Sequence, residues 1–541
     1  MAAGSVPTKR ERSGSGKADP ASKAISCCWR DRAGATEGRP RLSNRPTTHT
    51  VTAKSRERTA RNPLTGVVRP SGGVVNGRRR LALILTGRPY DGRAFAPDPV
   101  SLRLLLVRHG LSSFNVERRI QGRDDLSKLT NEGEAQARRT GEALKEVPID
   151  AVYSSPLQRA AATTAGLLAA KGGDLQPVLD EGLLEVDLEP WSGLTADERA
   201  ARDPEAYSAW RLHPETLELT RKDGSRYRPV PELMEQARHF LTRLLEKHPV
   251  DGNETVLVVG HNAILRCLIL VLLGEPERGF RRLQIDNASL SVFNLTPKAD
   301  GHQVQIECLN NTSHLGQALP AKGKGARLVL VRHGETNWNR EGRFQGQIDI
   351  PLNQNGHAQA EAARAFLADV SLQRAYSSSM SRPRQTAEGI LRSHPGVPLT
   401  VTRGLVEIGH GLWEGKLEAE IQAEWGALLE EWKRTPETVQ MPEGETIQDV
   451  WDRSVKTWST IADSLEPEET ALVVAHDAVN KTILCQLLGL SPGDIWAVKQ
   501  GNGGVTVVDM PVDPGQPAVV TCLNLTSHLG GVLDRTAAGA L

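Results

Sequence analysis

The chain repeats itself, and the repeat leaves few folds open to it. Leu-Val-Arg-His-Gly at 106–110 returns as Val-Arg-His-Gly at 331–334. Gln121-Gly122 returns as Gln345-Gly346, and Tyr-Ser-Ser at 153–155 as Tyr-Ser-Ser at 376–378. Val-Val-Gly-His at 258–261 returns as Val-Val-Ala-His at 473–476, and Cys-Leu-Asn at 308–310 as Cys-Leu-Asn at 522–524. The offset drifts only from 224 to 214 residues between the first pair and the last. Scattered motifs have no such constancy, so two whole domains are expected, at 101–316 and 326–530. A Gly/Lys/Ala/Pro linker at 317–325 joins them, and a tail follows at 531–541.

Hydrophobic patterning gives the class. Residues 102–107 and 327–331 are continuous apolar runs ending in turn residues, and 256–259 and 471–475 read the same way. Such runs are buried parallel strands. Thr130 and Asn353 stand as N-caps for helices through 135–144 and 358–367. The alternation predicts an α/β fold: two tandem three-layer α/β/α sandwich domains with largely parallel sheets. Ligands of such sheets bind beyond the strand C-termini. Arg108, His109, the segment 153–159 and His261 fall there, as do their counterparts in the second copy.

Charge and composition narrow the partners. Residues 1–100 hold 20 Lys and Arg against 7 Asp and Glu, whereas the rest holds 46 against 58. The body is therefore acidic, and aromatics are only 4% of the chain, so no nucleic-acid partner is expected. The first 100 residues show no helical or alternating period and are expected to form a disordered basic extension. Three origins compete: a basic binding tail, an Arg/Ser-rich transit peptide, or upstream DNA translated in error. The third is favoured, because Val100 lies just before the first strand and suits an alternative start. A cytoplasmic location is expected, or a plastid one if the extension is a transit peptide. Six cysteines without a CxxC pair argue against a disulfide framework or zinc cluster and fit a reducing compartment. The longest apolar runs, 81–85 and 267–273, are far short of the roughly 20 residues of a membrane span. No membrane partner and no secretory signal are therefore expected.

Four elements carry chemistry. Arg108-His109 and Arg332-His333 end apolar strands. A neutral imidazole there is a nucleophile beside an anion-binding guanidinium, and a phosphohistidine is labile enough for water to clear. The glycine that follows is expected to let backbone approach the ligand. Arg159 and Arg382 each follow a second strand and supply another fork for phosphoryl oxygens. Glu185 and Glu407, at matching offset, are candidates to protonate a leaving oxygen and then activate water. His261 and His476, ending another strand, are placed to stabilise developing charge.

With these residues in view, each copy resembles the histidine phosphatase superfamily, with its phosphoglycerate mutase-like fold. The second copy carries Arg332-His333-Gly334-Glu335-Thr336, Asn339, Gln345-Gly346 and Trp413-Glu414-Gly415. The first carries Arg108-His109-Gly110, Asn115, Gln121-Gly122, Arg159 and Trp191-Ser192-Gly193. The resemblance implies that His109 and His333 are the phosphorylated nucleophiles and Glu185 and Glu407 the acid/base residues. It implies further that Arg108, Asn115, Arg159 and His261 bind phosphate, with Arg332, Asn339, Arg382 and His476 doing so in the second copy. It implies no metal and no cofactor, and the sequence holds no metal-ligand cluster. The first copy departs at Leu111 and Ser192, where Glu is usual. The second departs at 477–480, where a Gly-rich stretch and an Arg are usual.

The expected function is hydrolysis of a small phosphate monoester, similar to the α-ribazole phosphatase and 2-carboxyarabinitol-1-phosphatase branch. The alternatives are mutase-type phosphoryl transfer, and one catalytic domain paired with a regulatory binding domain. Against the mutase stands the absence of its Glu-Arg-His-Tyr-Gly block around Glu185 and Glu407. Specificity is expected from the helical inserts at 186–250 and 408–469, and the oligomeric state is not legible.

Overall fold

The computed structural model describes residues 102–537, apart from 277, 300 and 514. The expected extension at 1–100 lies outside the described residues. In the first half β1 (Leu102–Arg108), β2 (Ala151–Ser154) and β3 (Val178–Leu179) precede a small hairpin, β4 (Leu219–Thr220) and β5 (Arg226–Tyr227). Then come β6 (Thr255–Gly260), β7 (Leu290–Lys298) and β8 (Gly301–Asn311). The second half repeats the series without the hairpin: β9 (Arg327–Arg332), β10 (Arg374–Ser378), β11 (Leu399–Thr402), β12 (Thr470–Ala475), β13 (Val505–Asp509) and β14 (Val519–Leu525). All four strands read from apolar runs are present, each longer than its run by one or two residues.

Strand order in the first half is β3-β2-β6-β1-β7-β8, and in the second β11-β10-β12-β9-β13-β14. The first four strands of each set run parallel, and the last two are antiparallel additions. Alternate residues of β1 face different layers. Leu104 and Leu106 join one buried cluster with the helices Pro229–Lys247 and Asn262–Leu272. Leu105 and Val107 join another with Leu144 and Leu167. Each such side chain contributes roughly 1.5–3 kcal/mol on burial. This is the α/β/α sandwich expected of the sequence. Thr130 and Asn353 cap the helices Asn131–Ala143 and Gln354–Phe366, accepting from the amides of Gly133 and Gly356 at 3.1 and 2.8 Å.

What the repeat did not announce is that the two sheets are one. β8 and β14 pair antiparallel, with Leu309 opposite Leu523, and close a sheet of 12 strands. Asn310 and Asn524 sit at equivalent points of the seam in left-handed backbone, φ 52 and 51. Asn310 donates its side-chain amide to the carbonyl of Thr521, and Asn524 donates to that of Glu307. One buried cluster runs through both halves, from Leu104 to Leu330 and Leu523. The segment between the halves is held too: Lys322 donates to the carbonyls of Gly325 and Pro467, and Arg327 to those of Pro320 and Ala321. Beyond β14, Val532 and Leu533 pack on the core of the first half. No helix among the described residues is long and apolar enough to cross a membrane.

Candidate active sites

Each half gathers its own set of residues at the C-terminal ends of its parallel strands. In the first half, β1 delivers Arg108 and then His109, whose amide donates to the carbonyl of Gly260 at the end of β6. The next residue on that side is His261. The two imidazoles lie 5.1 Å apart, centroid to centroid, and His333 and His476 repeat this at 5.2 Å. The Nδ1 atom of His109 is 2.7 Å from the carbonyl of Gly110, and that of His333 is 2.7 Å from the carbonyl of Gly334. A carbonyl only accepts, so the proton sits on Nδ1 and Nε2 carries the lone pair that can form a bond. Burial, and then the two neighbouring arginines, hold both imidazoles well below the usual histidine range. They are neutral at neutral pH.

Gly110 and Gly334 have a different reason from the one expected. A Cβ on Gly110 would stand 2.4 Å from the carbonyl oxygen of Gly133, and one on Gly334 the same distance from that of Gly356. The glycine lets the nucleophile loop rest against a helix start, rather than against a ligand. The amide of Gly110 is also fixed, donating to Thr163 at 3.0 Å, and Thr386 holds Gly334 in the same way.

Arg159 and Arg382 are buried and braced by backbone carbonyls. Arg159 donates to Gly122 and Asp124, and Arg382 to Gly346 and Ile348. Arg382 also points its Nε at Nε2 of His333, 3.2 Å away. The Nε of Arg159 is buried with no acceptor among the described residues. Asn115 accepts from Ser112 and from Asn287 through its Oδ1, which leaves its amide hydrogens for the cleft it lines. Asn339 accepts from Thr336 and from Asn502 in the same manner.

His261 and His476 each place Nε2 within reach of a serine hydroxyl, Ser155 at 2.8 Å and Ser378 at 2.9 Å. Glu185 sits against the start of the helix Asn262–Leu272 and accepts from the amides of Val186, Ala263 and Ile264. Glu407 occupies the matching place before Asp477–Leu488 and accepts from Ile408 and Asp477. The two acids are not in the same field. Burial, and then the carboxylate of Asp477, push Glu407 up from its ordinary value. The first half has neutral Asn262 at that position.

All twelve residues singled out in the sequence thus come together, six in each half. Sequence reasoning missed Asn287 and Asn502, whose amides tie the carbonyl of each nucleophile to Asn115 or Asn339. Their common offset of 215 residues was the available signal. The departures have structural counterparts. Glu414 accepts from the amides of Gln347 and Ile348 and pins that loop, whereas Ser192 donates its hydroxyl to Asp124. Arg332, Asn339 and Glu407 are almost wholly buried, while Arg108, Asn115 and Glu185 line an accessible cleft of about 240 Å³.

The family model described as the histidine phosphatase superfamily (branch 1) matches residues 104–312 and again 328–524. Over 494 residues the chain is 27% identical to 2-carboxy-D-arabinitol-1-phosphatase of Triticum aestivum, with 87% of this chain and 95% of that protein covered. It is 28% identical to the probable 2-carboxy-D-arabinitol-1-phosphatase of Arabidopsis thaliana, covering 79% of this chain and 88% of that one. Phosphoserine phosphatase 1 of Hydrogenobacter thermophilus matches 38% of this chain and 94% of its own length at 31% identity.

Proposed function

Since the chain belongs to the histidine phosphatase superfamily in both halves, we propose that it hydrolyses phosphate monoesters of small metabolites at two centres. The carrying observation is the carbonyl beside each nucleophile, 2.7 Å from Nδ1. It supports a neutral imidazole whose Nε2 attacks phosphorus.

In the first half the phosphoryl oxygens lie among Arg108, Arg159, Asn115 and His261. An Nε2–P bond forms as the P–O bond to the alcohol breaks, and Glu185 gives the leaving oxygen its proton. Water then attacks the phosphohistidine. Glu185 takes a proton from that water, the P–N bond breaks, and inorganic phosphate leaves. The arginines offset charge on the transferring group throughout. Arg332, Arg382, Asn339, His476 and Glu407 serve His333 in the same roles. No step draws on a metal ion.

The phosphatase names of the long relatives favour hydrolysis over mutase transfer. The test is turnover of a panel of phosphate esters by the full chain, with and without chelator. Release of inorganic phosphate, unchanged by chelator, is expected. Isomerised ester without phosphate release would sink the hydrolase reading, and loss of activity to chelator with recovery on added magnesium would sink the metal-free one.

A further inference from the structure

Around the shared Arg–His core, the two clefts differ at three matched positions, and at two of them in charge. After His261 the first half carries Asn262 and Arg266; after His476 the second carries Asp477 and Lys481. Arg281 answers to Trp496, at the same offset of 215 residues as the other two pairs.

In the second half these charges cancel among themselves. Lys481 lies 3.2 Å from Asp477 and over the ring of Trp496, and Asp477 is 4.0 Å from Arg332. In the first half they do not. Arg266 and Arg281 line the cleft together with Arg108 and Arg159. Arg266 reaches the carbonyl of Phe280 only at 3.4 Å, and Arg281 donates to that of Trp210. Among the described residues, the Nε of each is buried without an acceptor. Aromatic faces hold both guanidiniums in place: Arg281 lies 4.8 Å from the Trp210 ring, and Arg266 lies 5.5 Å from that of Phe280. Burial, and then Arg108, push Arg266 down to about 10; burial, and then Arg266, push Arg281 down to about 9. Cations crowded in this way are relieved by an anion. The core arginines already account for one phosphoryl group.

Resting on the reading of this cleft as a phosphomonoester site, we propose that the first half selects esters bearing a second anionic group, carboxylate or phosphoryl, held by Arg266 and Arg281. The second half, where Asp477 pairs with Lys481 and Trp496 stands in the place of Arg281, does not select for it. The two halves therefore divide the substrates of one chain.

Binding separates this from the hydrolase reading. The full chain carrying both His109→Ala and His333→Ala is titrated calorimetrically with 3-phosphoglycerate against glycerol 3-phosphate. Fructose 1,6-bisphosphate against fructose 6-phosphate forms the phosphoryl arm. At least one doubly anionic ligand should bind about tenfold tighter than its partner, as befits an added charge-assisted contact. Arg281→Met, and separately Asn262→Asp, should bring that ratio close to one. Equal affinities within both pairs, or a preference that survives both substitutions, would overturn the subsite. Preference without turnover by the unsubstituted chain leaves the subsite standing and removes the hydrolase; turnover without preference does the reverse.

Discussion

Asn310 and Asn524 stitch the seam between the halves reciprocally: each donates its amide, at 2.7 and 2.8 Å, to a backbone carbonyl of the strand that carries the other. Both are in left-handed backbone, where the short amide side chain is tolerated and most others are strained. Replacing either by alanine leaves a buried carbonyl unpaired and strains the left-handed backbone of the strand. A loss of about 2–4 kcal/mol is expected for each. The glycine variants lose the bond without the strain and should cost less. Urea unfolding of the four variants measures this; alanine and glycine variants of equal stability would refute the strain component.

Two sites on separate strands should fail separately. His109→Ala and His333→Ala are each expected to retain turnover, and the double variant to retain almost none, because the two sets share no residue. Labelled phosphate trapped by acid quench-free denaturation should appear on both histidines. Label on one histidine with every substrate tried would make the other half a binding module.

The second site should respond to charge beside its acid. Glu407 must hold a proton to assist departure of the alcohol, and activity falls as pH rises through its pKa. Asp477→Asn removes the second of the two causes that raise that pKa. In a His109→Ala background, the alkaline limb of kcat/KM should therefore move to lower pH. A limb that stays where it is means that Glu407 does not set it.

Acid should unfold the protein through its histidines. Burial depresses His109, His261, His333 and His476 well below 6.5, and holds His314 and His528 at about 4. Above pH 6.5 these groups are neutral folded or unfolded, so the stability is fully present there. Below it the unfolded chain takes protons that the folded one refuses, and stability falls as pH drops toward the folded values. Tm measured between pH 8 and pH 5 should decline below about 6.5, and less steeply in a His314→Phe/His528→Phe variant.

The parts of the fold that depend on local pattern were legible in the sequence. Apolar runs marked the four strands, Thr130 and Asn353 marked helix starts, the repeated motifs marked ten site residues, and the family resemblance added Asn115 and Asn339. The seam was not legible, because edge pairing depends on the backbone direction at Asn310 and Asn524, which no apolar period records. Arg281 was equally silent. It lies on a short turn far along the chain from His109, and only folding sets it against Arg266 across the cleft. Specificity was expected from the helical inserts, and Val186, Leu188 and Trp210 of the first insert line the cleft beside Arg266 and Arg281.

A sheet edge is an open invitation to any extended chain. In this molecule the two long edges, β8 and β14, occupy each other. Among the described residues the edges left outside are β3, of two residues, and β11, of four, too short to recruit a stranger. The duplication thus behaves as a homodimer whose partner is supplied in the same translation product, at an effective concentration that dilution does not lower. Such an arrangement frees the two pockets to drift apart while the seam is held to its symmetry. Neither half can be expressed alone without reopening the edge that its twin was keeping closed.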